Sequence, residues 1–393
     1  MVNQRMLGLG TARSVIRELF EYGKQRAAVV GAENVFDFSL GNPSVPAPDA
    51  INETAIRILK EQPELIHCYT SAQGDAAARQ RFADSLNRRF QGNYTAAQFY
   101  ITVGAAASLC CVFNGLTCPG DEFIVFAPYF PEYRPYTQGA GLRLSVVPAD
   151  VDSFQINFQA LEERLNPAVT AVLVNSPNNP SGMVLSSATL TRLEEKQHQF
   201  GHPIYLISDE PYRELLFTGT EETYPARFYD NTITCYSFSK SLSLPGERIG
   251  YLAVNPKAEQ ALTIAEVCPQ VSRTIGCNGT STLMQLTVGR CADLTSQLEV
   301  YERNKDRLFA ALTEYGFSCV EPGGSFYMFP RSLEPDDVAF CKKATELDLF
   351  LVPGTAFGCP GHFRLAYCVP KERVTVALPK FKQLAERYQR QKG

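Results

Sequence analysis

No run of about 20 apolar residues occurs in this 393-residue chain, so no membrane-spanning helix is expected. The N-terminus carries charge early and lacks the apolar stretch of a signal peptide. Twelve cysteines are present, but no Cys-x-x-Cys, which removes the usual metal and dithiol spacings. Cys110 and Cys111 are adjacent and the others are scattered, several in apolar runs where a free cysteine acts as a small hydrophobe. Reduced core thiols imply a reducing compartment, and a cytoplasmic protein without a metal site is expected. No Gly-x-Gly-x-x-Gly follows a strand-like run and no P-loop occurs, which argues against a dinucleotide-binding dehydrogenase. Tryptophan is absent beside 18 tyrosines and 25 phenylalanines, which says nothing about a pocket. A net charge of −4 gives no electrostatic case for nucleic acid or an anionic membrane. There is no internal repeat and no low-complexity segment.

What is present has the composition of an ordinary globular protein, with 45% hydrophobic and 20% charged residues. The length favours two or three packed units over one core. Residues 12–30 read as an amphipathic helix with Val15, Leu19, Tyr22 and Arg26 on one face and Gly31 as its end signal. A short strand at Phe36–Leu40 runs into a Gly/Pro turn, and Arg79–Phe90 reads as helix. The middle alternates between strand and helix. Glu122–Phe126, Leu142–Val147, Thr170–Asn175, Ile204–Asp209 and Thr232–Ser237 are the strand candidates, and Leu185–Phe200 is the clearest helix between them. Such alternation predicts an α/β fold with a mostly parallel sheet covered by helices. The last hundred residues read as a smaller α+β unit. Helices are expected at roughly 282–315 and 371–390, with strands around Ser325–Phe329 and His362–Ala366.

In open α/β sheets, ligands bind outside the carboxyl ends of the strands. Three polar residues fall at such ends. Asn175 opens Asn-Ser-Pro-Asn-Asn-Pro-Ser-Gly, Asp209 closes Tyr-Leu-Ile-Ser-Asp, and Ser237 leads into Ser-Phe-Ser-Lys. Their recurrence on successive strands suggests one site. Lys240, just after an apolar strand, is awkwardly placed unless its amine has a task. Small hydroxyl residues beside it, and Arg248 eight residues on, could bind a phosphate. Alone, Lys240 reads as a solvated loop lysine and Asp209 as a helix N-cap.

With these motifs in this order and spacing, the sequence resembles the class I/II aminotransferases, pyridoxal-phosphate (PLP) enzymes of fold type I. The resemblance spans about Phe38 to Tyr367. It implies PLP as cofactor and Lys240 as the Schiff-base lysine that then shuttles a proton. It implies Asp209 as partner of the pyridine nitrogen, and Tyr212 with Asn179 as the pair on the cofactor's 3'-oxygen. The neighbouring Asn178 reads as a plain turn residue. Gly104, Ala105 and Ala106 open a helix and resemble the phosphate cup, completed by Ser237 and Arg248. Phe130 resembles the aromatic that stacks on the ring, with Tyr129 as the alternative. Arg364 resembles the arginine that takes the substrate α-carboxylate bidentately, and Gly41 the glycine that lines the substrate pocket through its backbone. Tyr69 resembles a tyrosine that reaches the partner subunit's phosphate, which implies a homodimer with shared sites.

The implied division is an N-terminal segment, 1–40, packing with a small domain; a PLP-binding large domain, 41–285; and a small C-terminal domain, 286–393. The implied reaction moves an amino group from an L-amino acid to a 2-oxo acid such as 2-oxoglutarate. The alternative on this scaffold is a PLP-dependent C–S β-lyase. Those enzymes commonly carry a histidine in the Asn-Pro turn, where this chain has a second asparagine. A PLP-sensing transcription regulator needs a DNA-binding module, and only about thirty residues precede Asn34. Aspartate, aromatic and neutral donors all stay open. One aspartate-using branch has a lysine where this chain has Ala106, and Arg273 is a candidate cation supplied by a partner subunit.

Overall fold

A computed structural model of the chain describes residues 2–11 and 15–390. Seven strands form one sheet in the order Phe99–Thr102, Gly250–Val254, Thr232–Ser237, Tyr205–Asp209, Val169–Asn175, Glu122–Phe126, Arg143–Val147. From Thr232–Ser237 to Arg143–Val147 neighbouring strands run parallel, and Gly250–Val254 lies antiparallel to both its neighbours. Successive residues of a strand point to opposite faces, and here both faces are covered. Phe123, Leu173, Ile207 and Ile233 pack on one side with Val112, Phe113 and Ile264. Ile124, Val172 and Leu206 pack on the other with Leu190 and Leu193. That double burial explains the near-continuous apolar run at 169–174.

The parallel register brings the carboxyl ends of three strands to one edge. Asn175 pairs with Asp209, and Asp209 with Cys235, two residues before Ser237. Around this sheet, the helix Ala76–Phe90 starts at an Asp75 cap whose side chain accepts from the Ala78 N–H. Such a cap contributes about 1 kcal/mol.

A second core gathers Phe36 and Phe38 with Leu308, Phe340, Leu365 and Phe381. It holds a three-stranded antiparallel sheet, Val352–Pro353, Phe363–Ala366 and Tyr327–Met328. Phe36–Asp37 pairs in parallel with Leu349–Phe350, so the N-terminal segment is bound into the C-terminal part. Arg26 on the preceding helix adds a 2.6 Å ion pair to Asp348. No described helix is long and apolar enough to cross a membrane. All twelve cysteines are free thiols, and no metal-ligating group of three or more His, Cys, Asp or Glu exists among the described residues.

Three expectations are corrected. The N-terminal helix runs Val15–Val30, with 12–14 outside the described residues, and it ends before Gly31 as expected. Two of the four residues expected on its inward face are there, Leu19 against the Val352 and Phe357 core and Arg26 paired with Asp348, and two are not. Val15 and Tyr22 are exposed, while Gly23 is buried against Asp37 and Phe350, where a Cβ would stand 3.3 Å from Asp37 Oδ2. The stretch 282–315 is two helices, Thr282–Arg290 and Glu299–Glu314. Between them Ser296 N–H donates to the Ser241 carbonyl, and Asp293 accepts from Ser85, so tertiary bonds replace helical ones. The expected boundary at 285/286 falls inside the first of these helices, whose Met284 and Val288 pack with Phe82 and Phe99 of the large sheet unit. Finally, Leu185–Phe200 shortens to Ser187–Glu194. Gln197 turns inward, its carbonyl accepting from Ile204 N–H and its side chain from Asn231.

Candidate active site

The three strand ends open on a cleft lined by Gly41, Ala105, Ala106, Phe130, Asn175, Asn179, Asp209, Tyr212, Ser237, Lys240, Arg248 and Arg364, among others. Most of the residues singled out in the sequence therefore meet in one place. Gly104 borders it. Its φ of 92° suits glycine, and a Cβ there would stand 2.6 Å from Arg248 Nη2. Tyr129 turns away, its ring against Gly358 and its hydroxyl bound by Arg134, so of the two Phe130 is the one that lines the cleft. Tyr69 is fully exposed and outside this chain's cleft, as is the exposed Arg273.

Lys240 sits in the short helix Phe238–Ser241, which Ser237 caps by accepting from Ser239 N–H at 3.3 Å. Its amine donates to the Gly41 carbonyl at 2.6 Å. Burial lowers its pKa to about 8, with the positive Arg248 and Arg364 adding to the effect. Half or so of such amines are neutral near that pH, as a proton acceptor requires. Arg248 Nη1 reaches Ser239 Oγ at 3.4 Å, and its Nη2 reaches the Val103 carbonyl at 3.3 Å. That places a guanidinium beside the N-terminus of the helix Ala105–Gly115, whose first N–H groups have no intrahelical acceptor.

Across the cleft, Asp209 is 5% exposed and its Oδ1 has no hydrogen-bond partner among the described residues. Oδ2 accepts from Tyr133 Oη at 2.6 Å. Burial pushes the carboxyl up to about 7, against the Tyr133 hydrogen bond, which favours the charged form. Asn175 ties the strand ends together, donating to the Asp209 carbonyl at 2.8 Å and accepting from Asn179 N–H at 2.7 Å.

Arg364, 1% exposed, donates to Asn179 Oδ1 at 3.0 Å and to the Ser39 carbonyl. Its guanidinium lies 4.7 Å from the Tyr327 ring and 4.9 Å from Phe357, and its buried Nε has no partner among the described residues. Tyr212 Oη meets Tyr327 Oη at 3.1 Å. Tyr133 and Tyr327 were not legible as site residues in the sequence. The one available signal for Tyr327 was the preceding Gly-Gly-Ser turn, where a Cβ at Gly324 would stand 2.4 Å from the Leu215 carbonyl.

Gly41 has a stricter need. A Cβ there would lie 1.8 Å from Tyr327 Oη. Gly41→Ala is expected to cost about 1–3 kcal/mol through overpacking and to displace both Tyr327 and the Lys240 acceptor. Thermal melts and steady-state kinetics check this; unchanged values for both would contradict the packing described.

Residues 33–381 match the family model described as aminotransferase class I and II. The chain belongs to the class I and II aminotransferases. Family members use PLP, and this chain is a transaminase with the α/β architecture of fold type I. It is 32% identical over 362 residues to an aspartate aminotransferase of Thermotoga maritima, covering 90% of this chain and 92% of that protein. A crystal structure of an amino transferase from Eubacterium rectale aligns with a TM-score of 0.96 at 45% identity, covering 99% of both chains. The aspartate aminotransferase of Thermus thermophilus, solved with maleate, aligns at 0.86 with 26% identity, covering 98% of this chain and 99% of that one. The C–S lyase alternative is not favoured by these relatives.

Proposed function

We propose that this transaminase works with PLP held in the cleft by Lys240, Asp209, Tyr212, Asn179, Phe130, Ser237, Arg248 and the helix start Gly104–Ala106. The observation that carries the reading is the convergence of Lys240, Asp209 and Arg364 on one cleft. Two buried polar atoms there, Asp209 Oδ1 and Arg364 Nε, lack partners among the described residues. Leaving such an atom unpaired costs roughly 1–3 kcal/mol, which a bound ligand would offset. A carboxylate fits a ring N–H, and a guanidinium fits an α-carboxylate. The glycines fit as well: a Cβ at Gly250 would stand 3.1 Å from the Gly104 Cα, so the backbone closes tightly under the Arg248 side of the cleft.

When bound, PLP supplies a covalent carrier for the amino group and an electron-withdrawing ring. The chain's residues do the rest. Arg364 orients the substrate through its carboxylate. Lys240 takes and returns the proton at Cα. Asp209 would hold the ring nitrogen, its carboxylate supplying the negative charge that keeps it protonated. Asn175 and Asn179 hold Asp209 and Arg364 in mutual register.

The division into an N-terminal segment, a large and a small domain is part of the same reading, supported by the separate cores. So is a homodimer. Ile56, Leu59, Leu65, Tyr69, Leu262 and Val267 are exposed large apolar side chains. They lie on helices Asp49–Glu61 and Ala261–Ile275 and the loop between Glu61 and Ala76, joined by the Gln73 bond to the Ala265 carbonyl. An apolar face of this kind marks a partner surface, and a second copy would present Tyr69 and Arg273 there. Light scattering at twice the chain mass supports this, and a fully active monomer overturns it. The free thiols support a reducing, cytoplasmic setting.

For the donor, the relatives' names support aspartate. Among the described lining residues, only Lys240, Arg248 and Arg364 are cationic, and each has a role. A distal carboxylate would therefore need a cation from elsewhere, with Arg273 of a second copy as the candidate. The PLP-loaded protein is mixed with single amino acids and no 2-oxo acid. Stoichiometric release of a 2-oxo acid, with pyridoxamine phosphate left on the protein, is expected for the true donor. Loss of oxaloacetate release in Arg273→Ala, with other donors unaffected, assigns that arginine. Release of ammonia and a thiol from cystathionine would overturn the transfer reading.

A further inference from the structure

Tyr133 is a buried hydroxyl that the mechanism above does not use. It starts the helix Tyr133–Gly139, is 1% exposed, and donates to Asp209 Oδ2 at 2.6 Å. Its ring also meets Phe130 edge-on, with centroids 5.6 Å apart and planes at 82°. Thr137 clamps the same turn by donating to the Tyr133 carbonyl at 2.9 Å. The Asp209 backbone is fixed separately by Asn175 at 2.8 Å. Between them, these contacts occupy one carboxylate oxygen and leave the other, Oδ1, at the cleft wall without a partner among the described residues.

We propose that Tyr133 is a positioning residue: its hydroxyl fixes the Asp209 carboxylate in one rotamer and in its charged form, with Oδ1 presented to the cleft. The idea rests on the PLP reading for its purpose, since Oδ1 is the atom a protonated ring nitrogen would meet. It stands on geometry in the protein alone. A charge-assisted O–H···O⁻ bond in a dry site is among the stronger kinds. It also offsets the burial that resists ionisation. The titratable groups facing Asp209 are Tyr133 and Tyr136 on the helix Tyr133–Gly139, Glu210 and Tyr212 after its own strand, and Cys235 on the next strand. Lys240 shares the cleft with it. Of these, Tyr133 alone hydrogen-bonds a side-chain oxygen of Asp209 among the described residues.

Tyr133→Phe isolates the hydroxyl, because the ring facing Phe130 is kept. Two readouts are taken besides activity. The first uses the cofactor-free protein. Asp209 has a folded pKa above its unfolded value, so the folded state keeps a proton that the unfolded state has lost. Its contribution to stability therefore falls as pH rises from about 4 to about 7 and is constant above. In Y133F the upper end of that fall is expected to move up by about one pH unit or more. The shift should vanish in an Asp209→Asn background. The second readout is the ¹⁵N resonance of labelled PLP on the protein, expected to move toward the unprotonated ring in Y133F. Tyr133→Gln keeps a neutral N–H donor and should restore both signals in part; it also serves if Y133F does not fold. Unchanged pH profile and ¹⁵N resonance in Y133F would overturn the proposal. Failure of the wild type to bind PLP would instead strike the functional reading, and the cofactor-free pH profile would still decide the role of Tyr133.

Discussion

Lys240→Ala is expected to leave the fold intact and to lower transamination by roughly 10²–10⁴-fold from the lost proton transfer alone. Loss of the covalent anchor for PLP lowers it further. The fold survives because the side chain contributes little packing that the cleft needs. Its one hydrogen bond among the described residues is to the Gly41 carbonyl, which opens on the cleft and can be hydrated instead. Its charge, moreover, disfavours folding. The folded pKa of about 8 lies below the ordinary 10.5. The unfolded state then holds a proton that the folded state has released between those values. Stability therefore rises with pH from about 8 to above 10, and below 8 the full cost of the buried charge is present. That cost is at most about 3 kcal/mol, reduced by water in the cleft. The cofactor-free variant should lack this rise. Chemical denaturation across pH 7–11, paired with wild type, reads it directly. A parallel profile in both proteins would mean that Lys240 is an ordinary solvated lysine.

Asp209→Asn should have the next largest effect, on the order of 10²–10³-fold in the rate of the first half-reaction. The amide oxygen can still accept from Tyr133, so the side chain keeps its place. What then faces the cleft is an N–H donor without charge. A ring nitrogen opposite it would lose the anion that keeps it protonated, and the carbanion developing at Cα would lose its electron sink. PLP should still bind, because Lys240 and Arg248 are untouched. The variant should also be the more stable cofactor-free protein above pH 7, because no buried carboxylate remains to ionise. Rapid-mixing kinetics with one amino acid, together with denaturation at pH 8, separate the two effects. A normal rate would remove Asp209 from the mechanism.

The sequence made the centre of this site readable, and the reason is the sheet. Strands buried on both faces read as unbroken apolar runs, so the polar residue that ends each one stands out. Asn175, Asp209 and Ser237 were visible for that reason, and parallel pairing brought them to one edge. Lys240 and Arg248 stood out beside Ser237, and the roles expected of them came from the family resemblance. Other features had no local signal. The inward face of helix Val15–Val30 depends on where Asp37 and Phe350 leave room for Gly23, and apolar residues occupy both candidate faces. The break at 291–298 depends on a bond from Ser296 to the Ser241 carbonyl, 55 residues earlier. Tyr133 and Tyr327 are aromatic residues in apolar surroundings, and only the folded chain brings their hydroxyls to Asp209 and Tyr212. Tyr69 and Arg273 are exposed on one chain, so the roles proposed for them rest on the proposed second copy.

The most direct measurement is to incubate the protein with PLP, reduce it with borohydride, and map the labelled peptide by mass spectrometry. The account predicts one phosphopyridoxyl group per chain, on Lys240, and none when an amino donor has first converted the cofactor to its amine form. Labelling spread over surface lysines, or a single label on another residue, would contradict it.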